Sequence, residues 1–357
     1  MSAPQPRPSI TAMPRYVAGR PPAARPGLTT YKLSSNENPY PPLPGVLDAA
    51  VRAASAMNRY PDIGTHTLYE ALSAARGVPV DHLAAGTGST ALLYGLLSAF
   101  CEPGDEVVYP WRSFEGYPIA VLAAGAASVQ VSNLADGRHD VDGILAALTP
   151  RTRVVMLCSP NNPTGSILRQ DELDRVLAAV PGDVLVILDE AYAEFVREGD
   201  AADGLATYPT HPNLVVLRTF SKAYGLAGLR VGYAVAAPEI IDPLRAITLP
   251  FGVSAVAEAA AVASLAVEDE LFARVDALVA ERARILDGLH RLGWEVPDAH
   301  GNFVWFALSG DALAGFVTAA EDLGVAVRGL GDDGVRVSIG EREANDRILA
   351  LAQRLIP

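Results

Sequence analysis

The sequence predicts an α/β fold: a large domain with a mostly parallel sheet flanked by helices, plus a smaller α+β domain. Three features carry that prediction. From about residue 46, short apolar β-branched runs alternate with amphipathic helical stretches, the rhythm of parallel βαβ units. Several of those runs are apolar at consecutive positions, as strands buried on both faces require. Beyond a long helical run, the C-terminal part weakens to a strand, a helix and a strand.

The elements follow in chain order. Residues 1–31 hold seven prolines (Pro4, Pro6, Pro8, Pro14, Pro21, Pro22, Pro26) and four arginines, with no acid before Glu37. Proline locks φ and lacks a donor, so this stretch predicts an extended arm over the body of the protein, without regular helix and without a signal-peptide core. Helices are expected at 89–100 and 171–179, and strands at 106–109, 128–131, 153–158, 184–188, 214–217 and 233–235. A run from 254 to about 289 reads as an inter-domain helix broken near Asp269. Strands at 303–306 and 335–338 then flank a helix at 312–323. The expected division is 1–45 for an N-terminal arm belonging to the small domain, 46–250 for the large domain, and 251–357 for the inter-domain helix and small C-terminal domain.

Composition narrows the function classes. Of 357 residues 50% are hydrophobic and 19% charged, too apolar a mixture for a disordered chain. The formal charge of −13 leaves no net basic field for phosphate backbones, so nucleic acid is not an expected partner. No apolar run reaches membrane-spanning length, and no membrane partner is expected. The two cysteines, Cys101 and Cys158, form neither a disulfide framework nor a ligand cluster, and the six histidines are scattered without metal-ligand spacing. A reducing cytoplasm is the expected address.

Four loops at strand ends carry chemistry. Gly86-Thr87-Gly88-Ser89-Thr90 leads straight into a helix, where free backbone N–H groups form an anion site; alone, the segment equally fits a turn and an N-cap. Ser159-Pro160-Asn161-Asn162-Pro163-Thr164-Gly165 is a rigid turn that offers an asparagine amide at the carboxyl edge of the sheet, where ligands bind in α/β folds. An apolar strand then delivers Asp189, followed by Tyr192. A carboxylate buried there demands a cationic partner, whereas its bland alternative is capping the next helix. Finally, Lys222 lies among hydroxyls and glycines after the strand ending at Leu217. Lys32 is the only other lysine, which argues against an ordinary surface role and for an amine of lowered pKa able to form an imine. Thr219, Ser221 and Arg230 beside it suit a phosphate ester.

Taken in this order, the four segments resemble the fold-type I pyridoxal-5′-phosphate (PLP) enzymes, specifically the class I/II aminotransferases, from about residue 30 to the C-terminus. Leu33-Ser34-Ser35-Asn36-Glu37-Asn38-Pro39-Tyr40 and Arg59-Tyr60-Pro61-Asp62 are similar to the histidinol-phosphate aminotransferase subfamily. Closer still is the similarity to actinobacterial aromatic (phenylalanine) aminotransferases, through Trp111-Arg112-Ser113-Phe114-Glu115, the lysine segment and Pro250-Phe251-Gly252-Val253-Ser254.

The resemblance implies roles. Lys222 is the Schiff-base lysine and proton shuttle, and Asp189 pairs with the pyridinium nitrogen, the cation its burial demands. Asn162 and Tyr192 bond the cofactor's O3′, and Phe114 stacks on its ring, where histidinol-phosphate enzymes often carry tyrosine. Backbone amides of Ser89 and Thr90, which replace a frequent acidic pair, hold the phosphate with Thr219, Ser221 and Arg230. Tyr60 reaches in from a second subunit, which implies a homodimer. Arg336 clamps the substrate α-carboxylate, with Asn36 and Arg328 as further substrate residues.

The reaction so implied is ping-pong transfer of an amino group from an aromatic L-amino acid, phenylalanine or tyrosine, to a 2-oxo acid such as 2-oxoglutarate. An aromatic donor calls for an apolar slot, for which Phe251, Tyr224 and the arm near Tyr31 are candidates. The alternative donor is histidinol phosphate, whose phosphate would meet Arg336 and Arg328. A lyase or decarboxylase using Lys222 and Asp189 is a second class. A non-enzymatic phosphate-binding protein is a third, although neither a P-loop nor a dinucleotide fingerprint is present.

Overall fold

Five strands that follow one another with helical crossovers lie parallel at the centre of the protein. The computed structural model describes residues 3–355. Twelve strands run in chain order as β1 (Tyr31–Lys32), β2 (Leu83–Gly86), β3 (Glu106–Trp111), β4 (Ala127–Ser132), β5 (Thr152–Cys158), β6 (Leu185–Asp189), β7 (Leu214–Thr219), β8 (Gly232–Val235), β9 (Phe303–Phe306), β10 (Val325–Ala326), β11 (Arg328–Leu330) and β12 (Gly334–Ser338). The large sheet has the order β2-β8-β7-β6-β5-β3-β4. Strands β3 to β7 are parallel, and β8 runs antiparallel to both β7 and β2.

Burial follows the hydropathy of each strand. All five residues of β6 are buried, because helices cover both faces. Strand β4 alternates polar and apolar residues and is largely exposed, as suits an edge. Strand β2 was not expected. Leu-Ala-Ala-Gly has little strand propensity of its own, and its register with β8 supplies what propensity does not.

Most of the expected strands extend by one or two residues at an end, the one expected at 184–188 is shifted to Leu185–Asp189, the one at 303–306 keeps its bounds, and the helix at 89–100 is found as Ser89–Phe100. The long run divides into Ala255–Leu265 and Glu268–Arg291. Glu268, Asp269 and Glu270 occupy the first turn of the second helix, where acids complement the dipole, so the break falls just before Asp269. One expectation needs correction. The arm contains a single helical turn, Pro8–Thr11, because a proline at the first helical position surrenders no hydrogen bond. The rest of the described arm is irregular apart from a turn at 25–28, and it lies on the body: Arg7 Nη2 donates to the carbonyl of Ala123 at 2.7 Å.

Strands β11, β12 and β9 form a separate antiparallel sheet, and β1 pairs in parallel with β10, so the chain just after the arm joins the C-terminal part. Trp294, Phe306 and Phe316 pack there edge-on or tilted. Among the described residues no helix is long and apolar enough to cross a membrane.

Candidate active site

A cavity of about 280 Å³ opens where the loops after β5, β6 and β7 meet β12 and the arm. At its floor, Asp189 ends β6 and is buried. Tyr117 Oη donates to its Oδ2 at 2.9 Å and the Ala191 N–H to its Oδ1 at 3.2 Å. Among the described residues no arginine, lysine or histidine forms an ion pair with it. Burial pushes its pKa up to about 6, against the lowering effect of the Tyr117 hydrogen bond.

Lys222 stands in the same cavity, half-buried, with Nζ 3.2 Å from the Ser35 carbonyl and 5.7 Å from the centre of the Tyr192 ring. Burial and then the neighbouring Arg336 guanidinium bring its pKa down to about 7, so the amine is available in neutral form near neutral pH.

The hydrogen bonds around Asn162 and Tyr192 decide what each shows to the cavity. Arg336 Nη1 donates to Asn162 Oδ1 at 2.6 Å, which leaves the amide's Nδ2 to donate inward. Asn36 Nδ2 donates to Tyr192 Oη at 3.0 Å, which leaves the phenol proton to donate in turn. Asn36 thus lies behind Tyr192 rather than on the cavity wall. Its own backbone N–H and Oδ1 are held by Ser338 Oγ.

An anion cup forms at one end. Helix Ser89–Phe100 begins after Gly88, whose lack of a side chain leaves the first N–H groups uncapped. Arg230 Nη1 donates to Ser221 Oγ at 3.2 Å, and Thr219 Oγ1 to Ser221 Oγ at 3.1 Å. Two glycines make this approach possible: a Cβ on Gly88 would lie 2.6 Å from Arg230 Nη2, and one on Gly232 would lie 2.4 Å from the Ser89 nitrogen. Phe114 forms a wall, with Tyr117 and Tyr16 edge-on to it at 5.6 and 6.3 Å.

At the other end, Arg336 is buried, donates from Nη2 to the Ser34 carbonyl at 2.9 Å and has no partner on Nε. Arg328 lines the cavity too, but Nη2 is engaged by the Glu115 carboxylate at 2.8 Å and by the Val17 carbonyl. Tyr60 is elsewhere: 82% exposed, it stacks on Phe251 at 4.6 Å. Sequence reasoning missed Tyr117 and Tyr16. Only the three-residue spacing of Tyr117 from Phe114 hinted that both rings share a face.

The residues fit PLP as a group. An unpaired buried carboxylate suits a pyridinium nitrogen, a cup of helix-start amides, hydroxyls and a guanidinium suits its phosphate, and two donors and an amine lie between.

Comparisons with known proteins agree. The sequence model of the family described as aminotransferase class I and II matches residues 29–350. An aromatic amino acid aminotransferase of Streptomyces avermitilis is 52% identical over 99% of this chain and 98% of its own length. One from Rhodococcus jostii is 50% identical over 98% and 95%. Among solved structures, the histidinol-phosphate aminotransferase of Sinorhizobium meliloti in complex with pyridoxal-5′-phosphate superposes with a TM-score of 0.88 at 29% identity, covering 99% of this chain and 98% of that one. With its parallel sheet, its strand-end carboxylate and lysine, and a family match over most of its length, the chain belongs to the class I and II aminotransferases.

Proposed function

We propose that the protein binds PLP and transfers the amino group of an aromatic L-amino acid, phenylalanine or tyrosine, to a 2-oxo acid such as 2-oxoglutarate. The observation that carries the aromatic donor is the unequal state of the two arginines at the substrate end. Arg336 meets only neutral oxygens and is free to take an α-carboxylate, whereas Arg328 already has the Glu115 carboxylate. The names of the relatives at about 50% identity support the same reading.

Bound PLP would supply an electron sink for the charge left when the substrate α-carbon loses its proton. Asp189 holds its negative charge against the ring nitrogen, and Tyr117 keeps that carboxylate oriented. Asn162 Nδ2 and Tyr192 Oη donate to the ring oxygen. Lys222 Nζ, with its pKa near 7, takes and returns the α-proton. Phe114 holds the ring face, and the Ser89 and Thr90 amides with Thr219, Ser221 and Arg230 hold the phosphate.

The same reading includes a homodimer. Met57, Tyr60, Ile63, Leu249 and Phe251 are exposed large apolar residues, and the last two and Ile63 line a depression that reaches Thr87, next to the anion cup. A second copy seated there would bring its own Tyr60 to the phosphate. Residues 1–45 and 251–357 act together against 46–250, and the buried free thiols of Cys101 and Cys158 support a reducing cytoplasm.

Single-turnover spectroscopy of the PLP-loaded protein tests the reading. Phenylalanine should convert the cofactor to pyridoxamine phosphate faster than histidinol phosphate does. The reverse order would assign the protein to histidinol phosphate, and an amine or an eliminated fragment in place of a keto acid would make it a decarboxylase or lyase.

A further inference from the structure

Lys222 sits on a tight turn, in which the Gly225 N–H donates to the Lys222 carbonyl at 3.1 Å and Gly225 has φ +68°. Tyr224 leaves the same turn, but although a candidate for the apolar slot it does not line the cavity. Its ring packs on Phe220 at 4.7 Å, and its hydroxyl donates to Glu268 Oε1 at 2.5 Å and accepts from Arg76 Nη2 at 2.5 Å. Arg76 grips the same carboxylate twice, with Nη1 donating to Oε2 at 3.1 Å and Nη2 to Oε1. Tyr224 is buried, and the Arg76 and Glu268 side chains are only 14% and 20% exposed. Each of the three polar groups is satisfied by the other two, so removing one strands its neighbours.

Three elements meet at this cluster. Arg76 ends helix His66–Arg76, Tyr224 belongs to the Lys222 turn, and Glu268 begins helix Glu268–Arg291. Just before Glu268 the chain leaves helix Ala255–Leu265, which packs on helices Pro44–Ala54 and His66–Arg76. Helix Glu268–Arg291 instead packs on β9 and on the final helix, Arg342–Arg354. Strand β9 is paired with β12, which carries Arg336. Glu268 therefore ties the Lys222 turn to the helix that supports the Arg336 sheet. A substrate held by its carboxylate on Arg336 presents its α-proton at one place, and Nζ must be there: a misplacement of about 1 Å costs on the order of a hundredfold in rate.

We propose that Glu268, steadied by Arg76, is a positioning residue for the reaction: it holds the Tyr224 hydroxyl and thereby sets Lys222 Nζ against the α-carbon of a substrate bound to Arg336. Glu268 and Arg76 lie outside the cavity and act only through Tyr224. On the side of the arm, Asn38 Nδ2 holds the same turn by donating to the Ala223 carbonyl at 2.9 Å, so the turn is fixed from two directions. The proposal rests on the transamination reading above.

The test uses the PLP-loaded full chain and its Glu268→Ala and Tyr224→Phe variants in single turnovers with phenylalanine. In each variant the limiting rate of conversion to pyridoxamine phosphate should fall at least about tenfold. The half-saturating phenylalanine concentration, which reports the carboxylate contact, should stay within about twofold of wild type. Combining Glu268→Ala with Tyr224→Phe should cost no more than the worse single change, since both act through one hydroxyl. Tyr224→Phe keeps the packing on Phe220 and removes only that hydroxyl, so it reports even where Glu268→Ala folds poorly. Limiting rates within about twofold of wild type in the folded single variants overturn the proposal, even where thermal melts show lost stability. A loss carried by the half-saturating concentration, or losses that multiply in the double variant, overturn it too. Wild-type protein that yields no pyridoxamine phosphate from phenylalanine overturns the transamination reading instead, whatever the variants do.

Discussion

Asn162 Oδ1 and Arg336 Nη1 meet at 2.6 Å and tie the loop after β5 to the centre of β12. One contact therefore sets two orientations. It turns the Asn162 amide so that its donor faces the cavity, and it steadies the guanidinium proposed to meet the substrate's carboxylate.

Arg336→Gln removes the charge and the fork geometry together. We expect kcat/KM for phenylalanine to fall about a hundredfold, the upper range for a charged hydrogen-bonded pair, while phenethylamine, which lacks the carboxylate, loses less than about tenfold. Equal losses for the two donors, measured by steady-state and single-turnover kinetics, would show that Arg336 does not read the carboxylate.

Asp189 gives the protein without cofactor a pH-dependent stability. Its folded pKa of about 6 exceeds the ordinary carboxylate value of 3.8, so the folded chain holds more protons than the unfolded chain between the two. Its contribution is fully present below pH 4 and is lost as pH rises through about 6. Raising the pH from 4 to 7 should destabilise cofactor-free wild type relative to Asp189→Asn by on the order of 2 kcal/mol, read from urea melts. With PLP bound, the ring cation should abolish that trend, and Asp189→Asn should weaken turnover at least about tenfold.

In its proposed role, Lys222 would have to be neutral to condense with the cofactor's aldehyde. With its pKa brought down to about 7, capture of PLP by the cofactor-free protein should speed up as pH rises through about 7 rather than near the ordinary lysine value of 10.5. Stopped-flow absorbance measures the midpoint. Lys222→Ala should still bind PLP but not turn over.

Gly88 has φ +84°, and any Cβ there would displace Arg230 from the anion cup. Gly88→Ala should raise the PLP dissociation constant at least about tenfold and cost about 1 kcal/mol of stability. Fluorescence titration and a thermal melt separate the two effects.

Lys222, Asp189 and Asn162 were legible because each follows an apolar strand in a βαβ rhythm, and the carboxyl end of a parallel strand is where such folds expose polar groups. The small strands β1, β10 and β11 were not. Each has two or three residues, too few for a period to show; β1 and β10 exist through pairing with each other across most of the chain, and β11 through the hairpin it forms with β12. Asn36 was marked as a site residue, yet only the folded chain reveals that it acts on Tyr192 from behind.

The strand-end residues and their helices could be read directly, since hydropathy period and turn chemistry are local and leave a trace within ten or so positions. Which arginine stays free could not. Glu115 and Arg328 are 213 positions apart, and nothing near either one records the other. Their meeting depends on β11 lying beside β12, on the helix after Glu115 lying at the cavity rim and on the arm crossing above them. Charge pairing over such separations is set by where packed elements come to rest, and that is a property of the whole fold.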